Sequence, residues 1–124
     1  MKRAMLILSA LFFSCSASQP TAEELAAADY GNPPTNHVDL IKHWMAETYG
    51  DTQAAGIRDL KFGTPTKGFH MPSALESGGT KFGYEVEVTF SRTAAEGRRT
   101  TRQRIMTMVL IRNGEIVSYK EFTQ

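Results

Sequence analysis

Between Tyr84 and Phe90 the chain alternates without a break: Tyr84, Val86, Val88 and Phe90 fall at one parity, Glu85, Glu87 and Thr89 at the other. Successive side chains of a strand point to opposite faces, so this stretch predicts a β-strand with one covered and one wet face. Such a strand needs neighbours in a sheet and an apolar layer over its covered face. The neighbours are at hand. Arg102 to Arg112 predicts a second strand, apolar on both faces from Ile105 to Ile111, although a Met-rich apolar run of this kind also admits a helix. Asn113-Gly114 is a strong two-residue hairpin signal, and Glu115 to Phe122 reads as the strand that returns from it. Ile57 to Phe62 makes a further short strand with Leu60 and Phe62 on one face, while the glycine- and proline-rich stretch Gly63 to Gly79 is expected to be loop.

The cover is supplied by His37 to Tyr49. Val38, Ile41, Met45 and Tyr49 recur at helical spacing, and Leu40 and Trp44 widen the stripe. Asn36 can cap this helix, Asp39 lies near the positive end of its dipole, and Gly50 is a natural stop. The expectation is an α+β fold over residues 37–124: one amphipathic helix packed on a three- or four-stranded antiparallel sheet.

Residues 1–14 follow a different logic. Lys2 and Arg3 precede an apolar run from Ala4 to Phe13, about ten residues where a spanning helix needs about 20. A charged start, a short apolar stretch and small residues after it make the pattern of an export signal. Cys15, the only cysteine, stands directly behind it. Two processing points are open. Cleavage before Cys15, after Phe12-Phe13-Ser14, would make the cysteine a lipid-bearing first residue, although Leu is usual where Phe12 stands and a small residue where Phe13 stands. Cleavage after Ala17 or Ser18 would discard it. A free thiol is reactive when exposed, and its sole occurrence at the leader boundary favours the lipid.

Residues 15–36 read as a tether: small, polar and Pro-containing at first, then a short turn with Thr21 and Glu24 at capping-box spacing, then the helix-breaking Gly31-Asn32-Pro33-Pro34. Without Lys2 and Arg3 the chain carries 12 basic against 13 acidic residues, a balance unlike that of a dedicated nucleic-acid binder.

Side chains with chemical potential are sparse. Asp39 and His43 share a helix face but His37 points elsewhere, short of the three or four ligands a zinc site wants. His70 lies in the longest loop, near Ser73, without an identifiable nucleophile, base and orienting partner together; it is a candidate partner contact rather than a catalyst. Arg98, Arg102 and Arg104 concentrate charge on one hairpin. Arg102 and Arg104 share a face and could meet an anion of the envelope, or pair across strands with Glu85 and Glu87. No phosphate-cradling loop, nucleophile elbow or zinc helix is present, so no cofactor, metal or catalytic residue is expected.

Three stretches carry a family likeness. Ala28-Asp29-Tyr30-Gly31 followed by Pro34 and Asn36, Ile57-Arg58-Asp59-Leu60-Lys61-Phe62-Gly63-Thr64-Pro65-Thr66-Lys67-Gly68, and Ile111-Arg112-Asn113-Gly114-Glu115-Ile116-Val117 resemble small bacterial envelope lipoproteins of uncharacterised function. The likeness spans roughly residues 27–118. It departs at Asp51-Thr52-Gln53-Ala54-Ala55, where relatives commonly carry Asp-Pro-x-Ser-Ala. The resemblance implies a triacylated Cys15 and, with Ser16 beside it, an outer-membrane address facing the periplasm. It implies no activity. The partners expected are the membrane, through the anchor, and a periplasmic protein or envelope polymer. The alternative is a soluble periplasmic or secreted inhibitor or ligand-binding module with no anchor.

Overall fold

The computed structural model describes residues 19–51, 55–73, 75 and 78–124. The export signal, Cys15 and both alternative cleavage points lie outside them, as do residues 52–54 of the departing motif. Seven elements follow in order: α1 (Ala22–Ala27), α2 (His37–Tyr49), β1 (Arg58–Phe62), β2 (Thr66–His70), β3 (Lys81–Glu96), β4 (Arg99–Arg112) and β5 (Glu115–Thr123). The fold is α+β, with α2 packed on an antiparallel sheet of five strands.

The long hairpin β3–β4 is the spine of the sheet, in unbroken register from Tyr84↔Ile111 to Glu96↔Arg99. β5 pairs with the far edge of β4, and β1 and β2 share the far edge of β3. β1 matches Val88–Ser91 and β2 matches Lys81–Glu85, with their registers offset by one residue. They are nearly one strand interrupted at Gly63-Thr64-Pro65, where the Gly63 N–H continues the ladder to the Glu87 carbonyl at 2.7 Å. The segment expected to be loop therefore contains a strand. Its sequence Thr-Lys-Gly-Phe-His lacks apolar alternation, and pairing with β3 makes it extended.

The parity seen in the sequence sets the core. Val86, Val88 and Phe90 of β3 lie beside Ile105, Val109 and Ile111 of β4, and Ile41 and Met45 of α2 seal them; all eight are buried. Leu40, Trp44, Leu60, Phe62 and Ile116 pack around this cluster. α2 ends at Gly50, whose φ of +74° suits glycine and whose N–H closes on the Ala46 carbonyl at 2.9 Å. Its start differs from expectation. The Asn36 side chain makes no cap bond, and only its carbonyl joins the helix, accepting from Leu40 N–H. Asn113 and Gly114 both have positive φ, as the tight β4–β5 hairpin requires.

Candidate functional site

The opposite face of the sheet carries the most specific arrangement of polar groups. His70, at the end of β2, is 3% exposed. Its Nε2 lies 2.8 Å from Glu85 Oε2 of β3 and its Nδ1 lies 2.9 Å from Ser118 Oγ of β5. In a flat sheet β2 and β5, three strand spacings apart, would stand about 14 Å from one another. A direct bond between their side chains means that the sheet curls over this face. Leu110 of β4, opposite both Glu85 and Ser118 in register, is fully buried beneath the curl.

Two cross-strand glycines make the curl possible. Gly68 and Gly83 face each other in the β2–β3 ladder. A Cβ on Gly83 would lie 2.5 Å from the Ile111 carbonyl oxygen, and one on Gly68 would lie 3.0 Å from Glu85 Cβ. With both positions bare, the β3 backbone settles onto β4, and Glu85 reaches His70 over the space. With Glu85 ionised, His70 Nε2–H donates to the carboxylate. Nδ1 of the neutral ring then accepts the Ser118 hydroxyl proton, whereas the protonated ring donates from both nitrogens.

A hydroxyl, an imidazole and a carboxylate in hydrogen-bonded series are the groups of a nucleophilic triad. Here they also join three strands across the curl, as a latch from β2 to β5. The sequence showed His70 without such partners because Glu85 and Ser118 lie 15 and 48 residues away. The glycines at matching positions of two strands were the available signal, since glycine inside a strand marks close backbone approach.

Along the outer side of β5 run three open depressions. One, of about 470 Å³, is bounded by Trp44, Lys81 and Ile116–Tyr119. The next, of about 290 Å³, lies between Met71–Ser73 and Ser118–Lys120. The third, of about 430 Å³, includes Lys81, Arg112 and Val117. Val117 has no opposite number in β4, because a bulge falls between Leu110↔Ser118 and Ile111↔Ile116. Its carbonyl accepts a hydrogen bond from Lys81 Nζ at 3.1 Å. Trp44 and Tyr119 pack with their rings tilted by 59° and centroids 4.9 Å apart, and Tyr119 is half exposed.

Arg98, Arg102 and Arg104 form no part of this site. Arg102 and Arg104 do share a face, but the register sets Thr93 and Ser91 opposite them, while Glu85 and Glu87 face Leu110 and Met108. The expected cross-strand ion pairs are therefore not made. Arg102 instead donates to the Gly56 carbonyl and, at 2.8 Å, to Ser91 Oγ. Arg98 lies exposed in the β3–β4 turn and Arg104 is exposed on its strand. The strand rise puts the Ser91–Arg104 pair about 20 Å from Glu85 along β3. On α2, His43 pairs with Glu47 at 3.0 Å rather than with Asp39. Among the described residues no three His, Cys, Asp or Glu side chains converge as metal ligands would.

Two further clusters fix the periphery. Asp29, in the stretch read as tether, meets Arg112 through Oδ2 at 3.0 Å and through its carbonyl, and Arg112 also donates to the Phe82 carbonyl. The Gly31 N–H and then the Arg112 guanidinium hold the Asp29 carboxyl below its ordinary value of 3.8. Tyr30 packs edge-on against Phe82, and Asn32 N–H donates to Asn113 Oδ1. At the other end, Tyr49 donates to Glu121 Oε1 at 2.8 Å beside Arg92. Burial and then this carboxylate push the Tyr49 phenol up to about 12.

No family model, curated protein or solved structure matches the chain.

Proposed function

We propose that the chain is an exported bacterial envelope protein, anchored by lipid at Cys15, whose folded domain is a non-enzymatic binding module. The reading places it on the outer membrane, facing the periplasm. The observation that carries it is the position of Cys15, the sole cysteine, directly behind a short apolar leader with a basic start. The resemblance to small envelope lipoproteins points the same way. Three acyl chains contribute about 0.8 kcal/mol per buried methylene, enough in sum for lasting attachment where one chain holds weakly. The contacts of Asp29 and Asn32 with the β4–β5 hairpin leave a short tether between lipid and domain. A partner surface then lies along β5, and the exposed Arg98 and Arg104 offer a separate contact for envelope anions.

Growth with an alkyne fatty acid tests this. Label should appear on the wild type and disappear in Cys15→Ser. Equal label on both, or none on the wild type, overturns the anchor at Cys15, and an unlabelled wild type supports the unanchored periplasmic module instead.

A second reading, acyl transfer at Ser118, is favoured by the His70 bridge alone. It predicts that a fluorophosphonate probe labels the wild type and fails on Ser118→Ala and His70→Ala. An unlabelled wild type leaves the bridge as a structural latch.

A further inference from the structure

We infer that the free edge of β5 takes an extended peptide segment in which apolar and acidic residues alternate, added to the sheet as a sixth strand. The inference rests on the binding-module reading above and names the class of partner.

Among the described residues β5 ends the hydrogen-bonding order of the sheet, so the outward N–H and C=O groups of its backbone are a template for another strand. Strand addition draws affinity from such main-chain bonds and specificity from pockets that receive alternate side chains. The three depressions lie in the right place, strung along residues 116–120 of the same edge. Their walls differ by face. Toward α2 they present the Trp44–Tyr119 pair, and toward the curled face they present Lys81 and Lys120. Among the described residues, every charged one lining the three is a cation: Lys81, Lys120 and Arg112. A strand laid here would turn one parity toward aromatic rings and the other toward ammonium groups. Apolar and acidic residues in alternation match both.

Lys81 blunts the edge against indiscriminate pairing. Its ammonium occupies the Val117 carbonyl, an acceptor that the bulge leaves outside the β4 ladder. Charged side chains and bulges are common means of blunting an edge. A carboxylate on an incoming strand draws the ammonium to itself and frees that carbonyl for a main-chain donor. A second copy of the chain fits less well. Two antiparallel β5 strands related by a two-fold put like faces together. The lysine-bearing face of β5 offers Ser118, Lys120 and Phe122 beside the depressions, and its carboxylate, Glu115, sits before the bulge opposite Arg112 of the same hairpin.

The test uses the full mature chain in detergent micelles and the peptide acetyl-Thr-Val-Glu-Phe-Glu-Val-Thr-amide. Three comparison peptides replace both Glu by Lys, break the alternation at constant composition, or carry N-methyl groups on alternate amides. Binding is read by fluorescence anisotropy, and hydrogen exchange is followed at Ile116–Lys120. The alternating acidic peptide should bind about tenfold more tightly than the other three and slow exchange along β5. Lys81→Glu with Lys120→Glu should weaken it about tenfold and shift preference to the lysine peptide, while Lys61→Glu on β1 should change nothing. Equal binding of all four peptides overturns the inference, as does binding indifferent to the charge reversal. A dimer by light scattering with β5 amides already protected overturns it in favour of a second copy. The outcome is separable from the anchor: peptide binding lost with lipid still on Cys15 removes only this inference, and lipid absent with peptide binding intact removes only the anchor.

Discussion

At the scale of single residues, His70 concentrates the physical commitments of the fold. It is buried, and both ring nitrogens are engaged by groups from other strands. His70→Ala would leave the Glu85 carboxylate and the Ser118 hydroxyl without the partner that joins them. Unsatisfied groups of this kind cost about 1–3 kcal/mol, and urea unfolding should show a loss in that range. A change within about 0.5 kcal/mol, the scatter of ordinary surface substitutions, would show that the latch contributes nothing. Tyr49 gives a second prediction. Its phenol is raised from 10 to about 12, so the neutral form is the one the folded state favours. Stability from this shift is complete below pH 10 and is lost as pH rises toward 12. In a phenolate absorbance titration one of the four tyrosines should ionise late, and Tyr49→Phe should remove that late component. Neither residue's setting was legible in sequence. His70 meets its partners only through sheet register, and Tyr49 meets Glu121 from the far side of the chain.

At the scale of elements, legibility followed periodicity. α2 and β3 were readable because apolar residues repeat at helical spacing in one and alternate in the other, and the core is built from those residues. β4 was open to a helical reading because Ile105–Ile111 is apolar at both parities. Its second apolar parity has a reason the sequence hides: Leu110 is buried on the face away from α2, under the curl. β2 was unreadable because its only apolar side chain of size is Phe69, and because Gly68 looked like a loop residue. That glycine belongs with Gly83, and a prediction follows at this scale. Gly83→Ala sets a methyl 2.5 Å from the backbone oxygen of Ile111, where no flexible side chain can yield. The β3–β4 ladder must shift, at a cost of about 1–3 kcal/mol. The midpoint of urea unfolding should fall accordingly, whereas Gly79→Ala, with open space around its Cβ, should leave it nearly unchanged. Equal midpoints for the two variants would contradict the close packing of β3 on β4.

At the scale of the whole molecule, the proposed anchor would join the folded domain to a membrane surface through a short lead. The stretch after α1 is held where Asp29 meets Arg112 and where Asn32 meets Asn113. Because the Asp29 carboxyl is held below 3.8, its contribution is present above that value and fades as pH falls through the lowered one. Proteolysis within residues 19–28 should therefore accelerate in acid below pH 3.8 before the sheet unfolds, and Asp29→Asn should be cut faster at neutral pH. A cleavage rate unchanged by pH and by Asp29→Asn would show that the clamp does not hold the lead. The proposed tether turns on which residue begins the mature chain. The most direct measurement is the intact mass of the mature chain purified from membranes. With the proposed anchor the chain should begin at Cys15 and be heavier than its amino acids by three acyl chains and their glycerol. A chain of unmodified mass beginning at Ser18 or Gln19 would contradict it.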